Sequence, residues 1–217
     1  WLRRRSNERA KELLPTLFNA MFGSLNEDNK RWNIVTIADA GKVQLGRQRT
    51  PQYQSGKYTR PYVRVANVFE DRIDVTDLLS MDFDEGDFAR YKLEYGDILL
   101  NEGQSTELVG RPAKWRNEVP DCCFQNTLIR FRPDRTITDE DFALAVFLVY
   151  YRTGRFAQIS SKTSSVAHLG AGRFVKLPFP LPPLDLQKKF AAQVTEVRIT
   201  EKHLAKSQQR LNYLFQS

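Results

Sequence analysis

The stretch Leu177-Pro178-Phe179-Pro180-Leu181-Pro182-Pro183-Leu184-Asp185-Leu186-Gln187-Lys188-Lys189-Phe190 decides how the rest of the chain is organised. Its prolines fix φ and lack a backbone N–H, so residues 178–182 favour an extended or polyproline-like path. Pro183 stands where the first turn of a helix tolerates proline. Asp185 is placed to accept orphan N–H groups and to oppose the helix dipole. The stretch therefore reads as a rigid lead-in to a long helix.

Beyond it, Phe190, Val197, Leu204 and Leu211 recur every seven residues, flanked by a second row of Val194, Glu201, Gln208 and Phe215. A sustained heptad pattern requires a partner helix, so Phe190, Val194, Val197, Leu204, Leu211 and Phe215 form the expected partner seam. The polar Glu201 and Gln208 favour a register-specific partner over a self-sufficient zipper. At ~1.5 Å per residue the helix would be about 40–50 Å long, longer than one compact lobe, and suited to act as a spacer.

The chain has 217 residues, of which 41% are hydrophobic, enough for one globular domain with helical extensions. No run approaches the ~20 apolar residues of a membrane span. The apolar run Phe142 to Tyr151 reads as a buried helix, and no secretory signal opens the sequence, so no membrane association and a cytoplasmic location are expected. Cys122 and Cys123 are adjacent. With only His168 and His203 they supply no spaced zinc site, and read as small buried residues at a strand start.

The net charge of +7 is unevenly spread. From Ala40 to Phe69 there are six basic residues and no acid; from Phe142 to Leu184 there are five and no acid; between them Glu70 to Glu102 carries eleven acids against three bases. The first basic span mixes Arg47, Gln48, Arg49, Tyr53, Lys57 and Arg60, a composition suited to base edges and phosphates of nucleic acid. The second offers Lys162, Thr163, Ser164, His168 and Arg173, with Gly170 and Gly172 allowing close backbone approach to phosphate. The acidic stretch, including Asp82, Asp84, Glu85 and Asp87, reads as a solvated turn, because it has neither calcium-loop spacing nor a nuclease pattern. No phosphate-binding loop, nucleophile elbow or dinucleotide fingerprint is present, so no catalytic site is expected.

In chain order, a helical stripe to Phe22 carries Pro15 as a potential kink and is closed by Gly23. Residues 32–133 read as mostly β, with strands at Asn33–Ile37, Tyr62–Val68, Arg72–Val75, Asp97–Asn101 and Phe124–Phe131. Thr138 followed by three acids opens a helix to about Tyr151, closed by Gly154. The fold class is α+β. Leu14–Ala20 also aligns with Leu211–Ser217 at an offset of 197 residues with three identities, which suggests a tandem arrangement of domain and helix.

Several motifs resemble the specificity subunit of type I restriction–modification systems. They are the proline-rich Pro180 to Leu184 followed by Gln187, then Tyr95-Gly96-Asp97-Ile98-Leu99-Leu100, Gly110-Arg111, and Gln125-Asn126-Thr127-Leu128-Ile129-Arg130 before Pro133. Leu186 stands where that family usually carries Glu. The resemblance implies a mixed, mostly β target-recognition domain with a long C-terminal coiled-coil-type helix. Residues 1–25 would end a conserved spacer helix, 26–183 would form the recognition domain and 184–217 the next helix.

It further implies non-catalytic, sequence-specific recognition of double-stranded DNA, with this domain reading one half of a bipartite target. The implied partners are methyltransferase and restriction subunits, and a second recognition domain or second copy through the helices. No cofactor is expected on this chain, with S-adenosylmethionine, ATP and Mg supplied in the partner subunits. Since Trp1 is not an initiator methionine, a fragment or processed chain is expected, with a half-subunit that dimerises as the alternative. The rival readings are a helical scaffold whose basic surface is incidental, and an RNA-binding module.

Overall fold

The computed structural model describes residues 15–25, 31–51, 54–163 and 165–214, some of the last by backbone alone. Helix α1 covers residues 15–22. Then come β1 (Asn33–Thr36), α2 (Ile37–Ala40), β2 (Gly41–Leu45), β3 (Thr59–Val63), β4 (Val68–Phe69), β5 (Arg72–Ile73), β6 (Leu79–Asp82) and α3 (Glu85–Tyr91). Strands β7 (Ile98–Asn101), β8 (Gly103–Gln104), β9 (Pro112–Lys114), β10 (Cys123–Phe124) and β11 (Leu128–Pro133) precede α4 (Glu140–Arg152) and α5 (Arg155–Ile159). The chain closes with β12 (Ser161–Thr163), β13 (Val166–His168), α6 (Ala171–Phe174), β14 (Pro178–Leu181) and α7 (Leu184–Leu214). The mixed α+β architecture with a long terminal helix agrees with the expectation from sequence.

The centre is an antiparallel sheet of order β2-β11-β7-β9. It is covered on both faces, which explains the unbroken apolar run of β7. Ile98 and Leu100 face one cluster, built on α4, whereas Leu99 faces the other, with Trp115, Phe124 and Val63. A second sheet, β10-β3-β6, packs with α3 through Tyr62, Met81, Phe83 and Cys123. Both cysteines are buried free thiols, and burial pushes each up to about 12.

The acidic stretch departs from its expected solvated turn. Asp84 caps α3 by accepting from the Asp87 N–H at 2.8 Å. Asp82 is 7% exposed and its carboxylate accepts from Gly56 N (2.9 Å), Tyr58 N (3.1 Å), Thr59 Oγ1 (3.2 Å) and Ser55 Oγ. The hydroxyl of Ser55 and these backbone donors hold the Asp82 carboxyl down at about 2. The N-cap of α4 is Asp139, which accepts from Asp141 N and Phe142 N, and Thr138 is buried just before it.

The proline lead-in is β14, an edge strand paired antiparallel to β1, a position that suits residues without an N–H. Gln187, in the first turn of α7, explains how the helix is seated. It is fully buried; its Oε1 accepts from Asp139 N at 2.9 Å, and its Nε2 donates to Ile137 O (2.9 Å) and Pro182 O (2.8 Å). One amide thus joins the lead-in, the cap of α4 and α7.

The seam of α7 is already occupied at its beginning. Phe190 and Val194 are 0% and 3% exposed, and the Phe190 ring lies 5.9 Å from Phe18, 5.4 Å from Phe22 and 6.3 Å from Phe142. Part of the seam expected to seek another chain is therefore filled by α1 and α4 of this one. Val197 is half-buried and Leu204 is 60% exposed. The side chain of Leu211, and Phe215, lie outside the described residues, as do Leu14 and residues 215–217 of the proposed repeat.

Candidate nucleic-acid interface

The register of the central sheet brings one part of each basic span, the loop after β2 and the β12–β13 hairpin, to one end. Leu45 at the end of β2 faces Ile129, Asn101 at the end of β7 faces Leu128, and Pro112 at the start of β9 faces Leu100. The loops 46–58, 102–111 and 125–127 all emerge there. The β12–β13 hairpin joins them by laying β13 against β8, with Ala167 opposite Gln104 and His168 opposite Gly103.

Hydrogen bonds continue from segment to segment beyond the sheet. Asn126 N donates to Arg47 O (3.0 Å), Glu102 N to Thr127 O (2.9 Å) and Leu169 N to Glu102 O (2.8 Å). The order across this end is Arg47, Gln125–Thr127, Glu102–Gln104, β13 and β12. Four steps of ~4.8 Å make a strip about 19 Å wide.

The expected site residues divide by what their side chains do. Gln48, Arg49 and Lys57 are exposed on the loop at one flank, with Lys57 Nζ 5.0 Å from the Tyr58 ring. Lys162 is exposed on the hairpin at the other. Arg47 is turned inward: it is 6% exposed, donates to Asp82 O, pairs with Asp87 and lies 5.1 Å from the Phe83 ring. Its charge holds the loop to α3. Arg60 is half-buried with its guanidinium 4.9 Å from the Phe88 ring, against the same helix.

Arg173 staples the hairpin, donating to Leu169 O (3.1 Å), His168 O (2.6 Å) and Ser161 Oγ (3.0 Å). His168 Nδ1 lies 3.1 Å from a Glu102 carboxylate oxygen, so the acid within the strip has a polar partner. Thr163 is placed on β12 opposite Val166 by its backbone; its side chain, Tyr53 and Ser164 lie outside the described residues.

Two features of this end differ from the expectation from sequence. The turn Gln125-Asn126-Thr127 lies between the flanks, pinned by Gln125 N to Val63 O (3.0 Å), Asn126 N to Arg47 O and Val65 N to Thr127 Oγ1 (3.1 Å). Its Asn126 amide is half-exposed and makes no hydrogen bond among the described residues. The second is Asp82, which shapes the loop carrying Lys57. The spacing of Asp84 and Asp87 could have signalled the cap of α3, but the partners of Asp82 are more than twenty residues away. Gly110, in the resemblance motif, has φ +73, and a Cβ there would come within 2.6 Å of the Phe156 ring; it lets loop 102–111 pack against α5.

Comparison with known proteins gives the class, a DNA-specificity domain. Residues 29–212 match the type I restriction modification DNA specificity domain, and the chain belongs to that family. Among curated relatives it is 25% identical over 170 residues to a putative type I restriction enzyme MjaX specificity subunit of Methanocaldococcus jannaschii, covering 78% of this chain and 39% of that protein.

Its fold resembles that of the HsdS subunit from Thermoanaerobacter tengcongensis, with a TM-score of 0.56 at 17% identity over 95% of this chain and 48% of that one. A chain from a structure of type I R-M complex assembly gives a TM-score of 0.62 at 15% identity, covering 99% of this chain and 51% of that one. The S subunit from M. genitalium gives 0.52 at 13% identity, covering 98% and 52%. The chain therefore spans about half the length of these relatives, or less. Among the described residues no helix is long and apolar enough to cross a membrane.

Proposed function

We propose that this chain reads one half of a bipartite duplex DNA target with the strip at the end of its central sheet, and performs no catalysis itself. The observation that carries this reading is the convergence of two acid-free basic segments, separated by a rigid turn bearing an uncommitted amide. A strip about 19 Å wide exceeds the ~12 Å major groove, so Arg49 and Lys162 at its flanks suit the bordering phosphates while amides at its middle face base edges. Backbone contacts would position the domain and the amides would specify sequence.

In this reading α7 carries the domain at a set distance from a second one, and methyltransferase and restriction subunits dock on the helices. S-adenosylmethionine, ATP and Mg belong to those partners. The test is a titration of the chain with duplex DNA pools and with RNA of equal length across a salt series. Preference for a subset of duplexes, with log affinity falling linearly against log salt, is expected. Equal affinity for RNA, or a salt-independent affinity, would replace this reading by the RNA-binding or the scaffold alternative respectively.

A further inference from the structure

We infer that Arg198 is a positioning residue that sets the direction in which α7 leaves the domain, by closing an ion network between segments distant in sequence. Its Nη2 lies 2.7 Å from an Asp71 carboxylate oxygen and its Nη1 lies 3.2 Å from Asp141. Asp71 is at the β4–β5 turn, where its N–H donates to Pro112 O at 2.9 Å and its other carboxylate oxygen is 2.6 Å from Arg116 Nη2. Asp141, in the first turn of α4, places its second oxygen 2.6 Å from Lys114 Nζ on β9. Charges alternate along the path Lys114, Asp141, Arg198, Asp71, Arg116.

Apolar contacts at Phe190 and Val194 hold the helix down, but such contacts are non-directional. A planar guanidinium fork engaging carboxylates on two different elements adds the direction. Without Arg198, Asp71 still has Arg116 and Asp141 still has Lys114. These two ion pairs remain, and of the ties to α7 only this one is lost, while Gln187, Phe190 and Val194 still seat its beginning. Beyond this point Ile199 and Leu204 are 53% and 60% exposed.

The lever is long enough for direction to matter. From Arg198 to Leu214 the helix extends about 24 Å at ~1.5 Å per residue, so a tilt of about 10° moves its end about 4 Å. That exceeds the ~3.4 Å advance per base pair along one strand. Resting on the reading of α7 as a spacer, this makes Arg198 a determinant of half-site separation.

The experiment is a spin-label distance measurement between Ala89→Cys on α3 and Ser207→Cys on α7, both exposed. The native Cys122 and Cys123 are buried and stay unlabelled. A narrow distribution is expected for the parent, and one at least twofold broader, or displaced by several ångströms, for Arg198→Met. Arg198→Lys should fall between, because an ammonium lacks the fork. Asp71→Asn, on the domain side, should broaden the distribution too, and serves in place of Arg198→Met should that variant fail to fold.

An unchanged distribution in a folded Arg198→Met or Asp71→Asn variant overturns the inference. No DNA enters the measurement, so its outcome is independent of the proposed reading. Absence of duplex binding defeats that reading while the clamp stands; duplex binding with an unchanged distribution defeats the clamp alone.

Discussion

The two ends of the central sheet use the same side-chain chemistry in opposite ways. At the end where β11 leaves toward α4, the Gln187 amide is buried and makes three hydrogen bonds to three backbone groups. At the end where β11 begins, the Asn126 amide is half-exposed and makes none among the described residues, although its backbone is pinned just as firmly. A satisfied amide fixes structure, whereas a firmly held but unsatisfied one is available to an outside partner. The first end joins the sheet to α7, and the second is the one we propose meets DNA.

Breaking the helix end should give the largest effects. Phe190→Ala removes a ring from the cluster of Phe18, Phe22 and Phe142 and should cost about 3–5 kcal/mol. Gln187→Ala leaves the buried Asp139 N–H and two carbonyls without their partner and should cost about 3 kcal/mol. Both are read as a fall in the denaturant midpoint at constant slope. Neither should alter duplex affinity per folded molecule, and a loss there would mean that the two ends are not separable.

At the opposite end, changes should leave stability alone and act on binding. The pair Arg49→Glu and Lys162→Glu should weaken duplex binding by about 10–100-fold, roughly 1.4–2.8 kcal/mol, and flatten the salt dependence. Arg47→Met should behave differently from both, lowering stability because Asp87 and the Asp82 carbonyl lose their partner. Equal effects on the salt slope from Arg47 and Arg49 variants would contradict the inward placement of Arg47. Asn126→Ala sharpens the comparison further. It should reduce discrimination at one base pair by about 1–2 kcal/mol while the salt slope stays unchanged, as measured with single-substitution duplexes.

What could be read from sequence follows the same division. The long helix, its proline lead-in and the strands at Asn33 and Asp97 are legible because periodicity and prolines are local signals. The strands expected over Tyr62–Val68 and Phe124–Phe131 are each broken, the first by a turn at Val65–Asn67 and the second by the turn Gln125–Thr127, because hydrogen bonds to distant segments override the local apolar pattern. The pairs β8 with β13 and β12 with β13 are not legible, since strands of two or three residues carry no period of their own and depend on partners far along the chain. Charge patterning points to Arg49, Lys57 and Lys162, which the structure leaves exposed at the flanks of the candidate strip. It could not tell Arg47 from Arg49, because what distinguishes them is a meeting with Asp82 and Asp87 some 35–40 residues away. In sequence Asn126 stands out only as part of a motif, since availability of an amide is a property of its surroundings.

The smallest expected effect concerns pH, and it turns on Asp82. Its folded-state carboxyl lies at about 2, below the ~3.9 of an unfolded chain, because Ser55 and the backbone of loop 46–58 donate to the ionised form. A depressed carboxyl contributes stability that is fully present above the unfolded value and is lost as pH falls through the folded one. Order in this loop should therefore be flat from pH 8 to 5 and fade only as pH approaches about 2. Amide signals of Gly56 and Tyr58, followed by NMR, report it directly. In Asp82→Asn, where one carboxylate oxygen is replaced by a donor, at least one of the two amides should exchange faster than in the parent from pH 8 to 5, because at most one of Gly56 N and Tyr58 N keeps its acceptor. A midpoint near 4 in the parent would show that Asp82 is solvated as its sequence context alone suggests, and that the loop carrying Lys57 is shaped by something else.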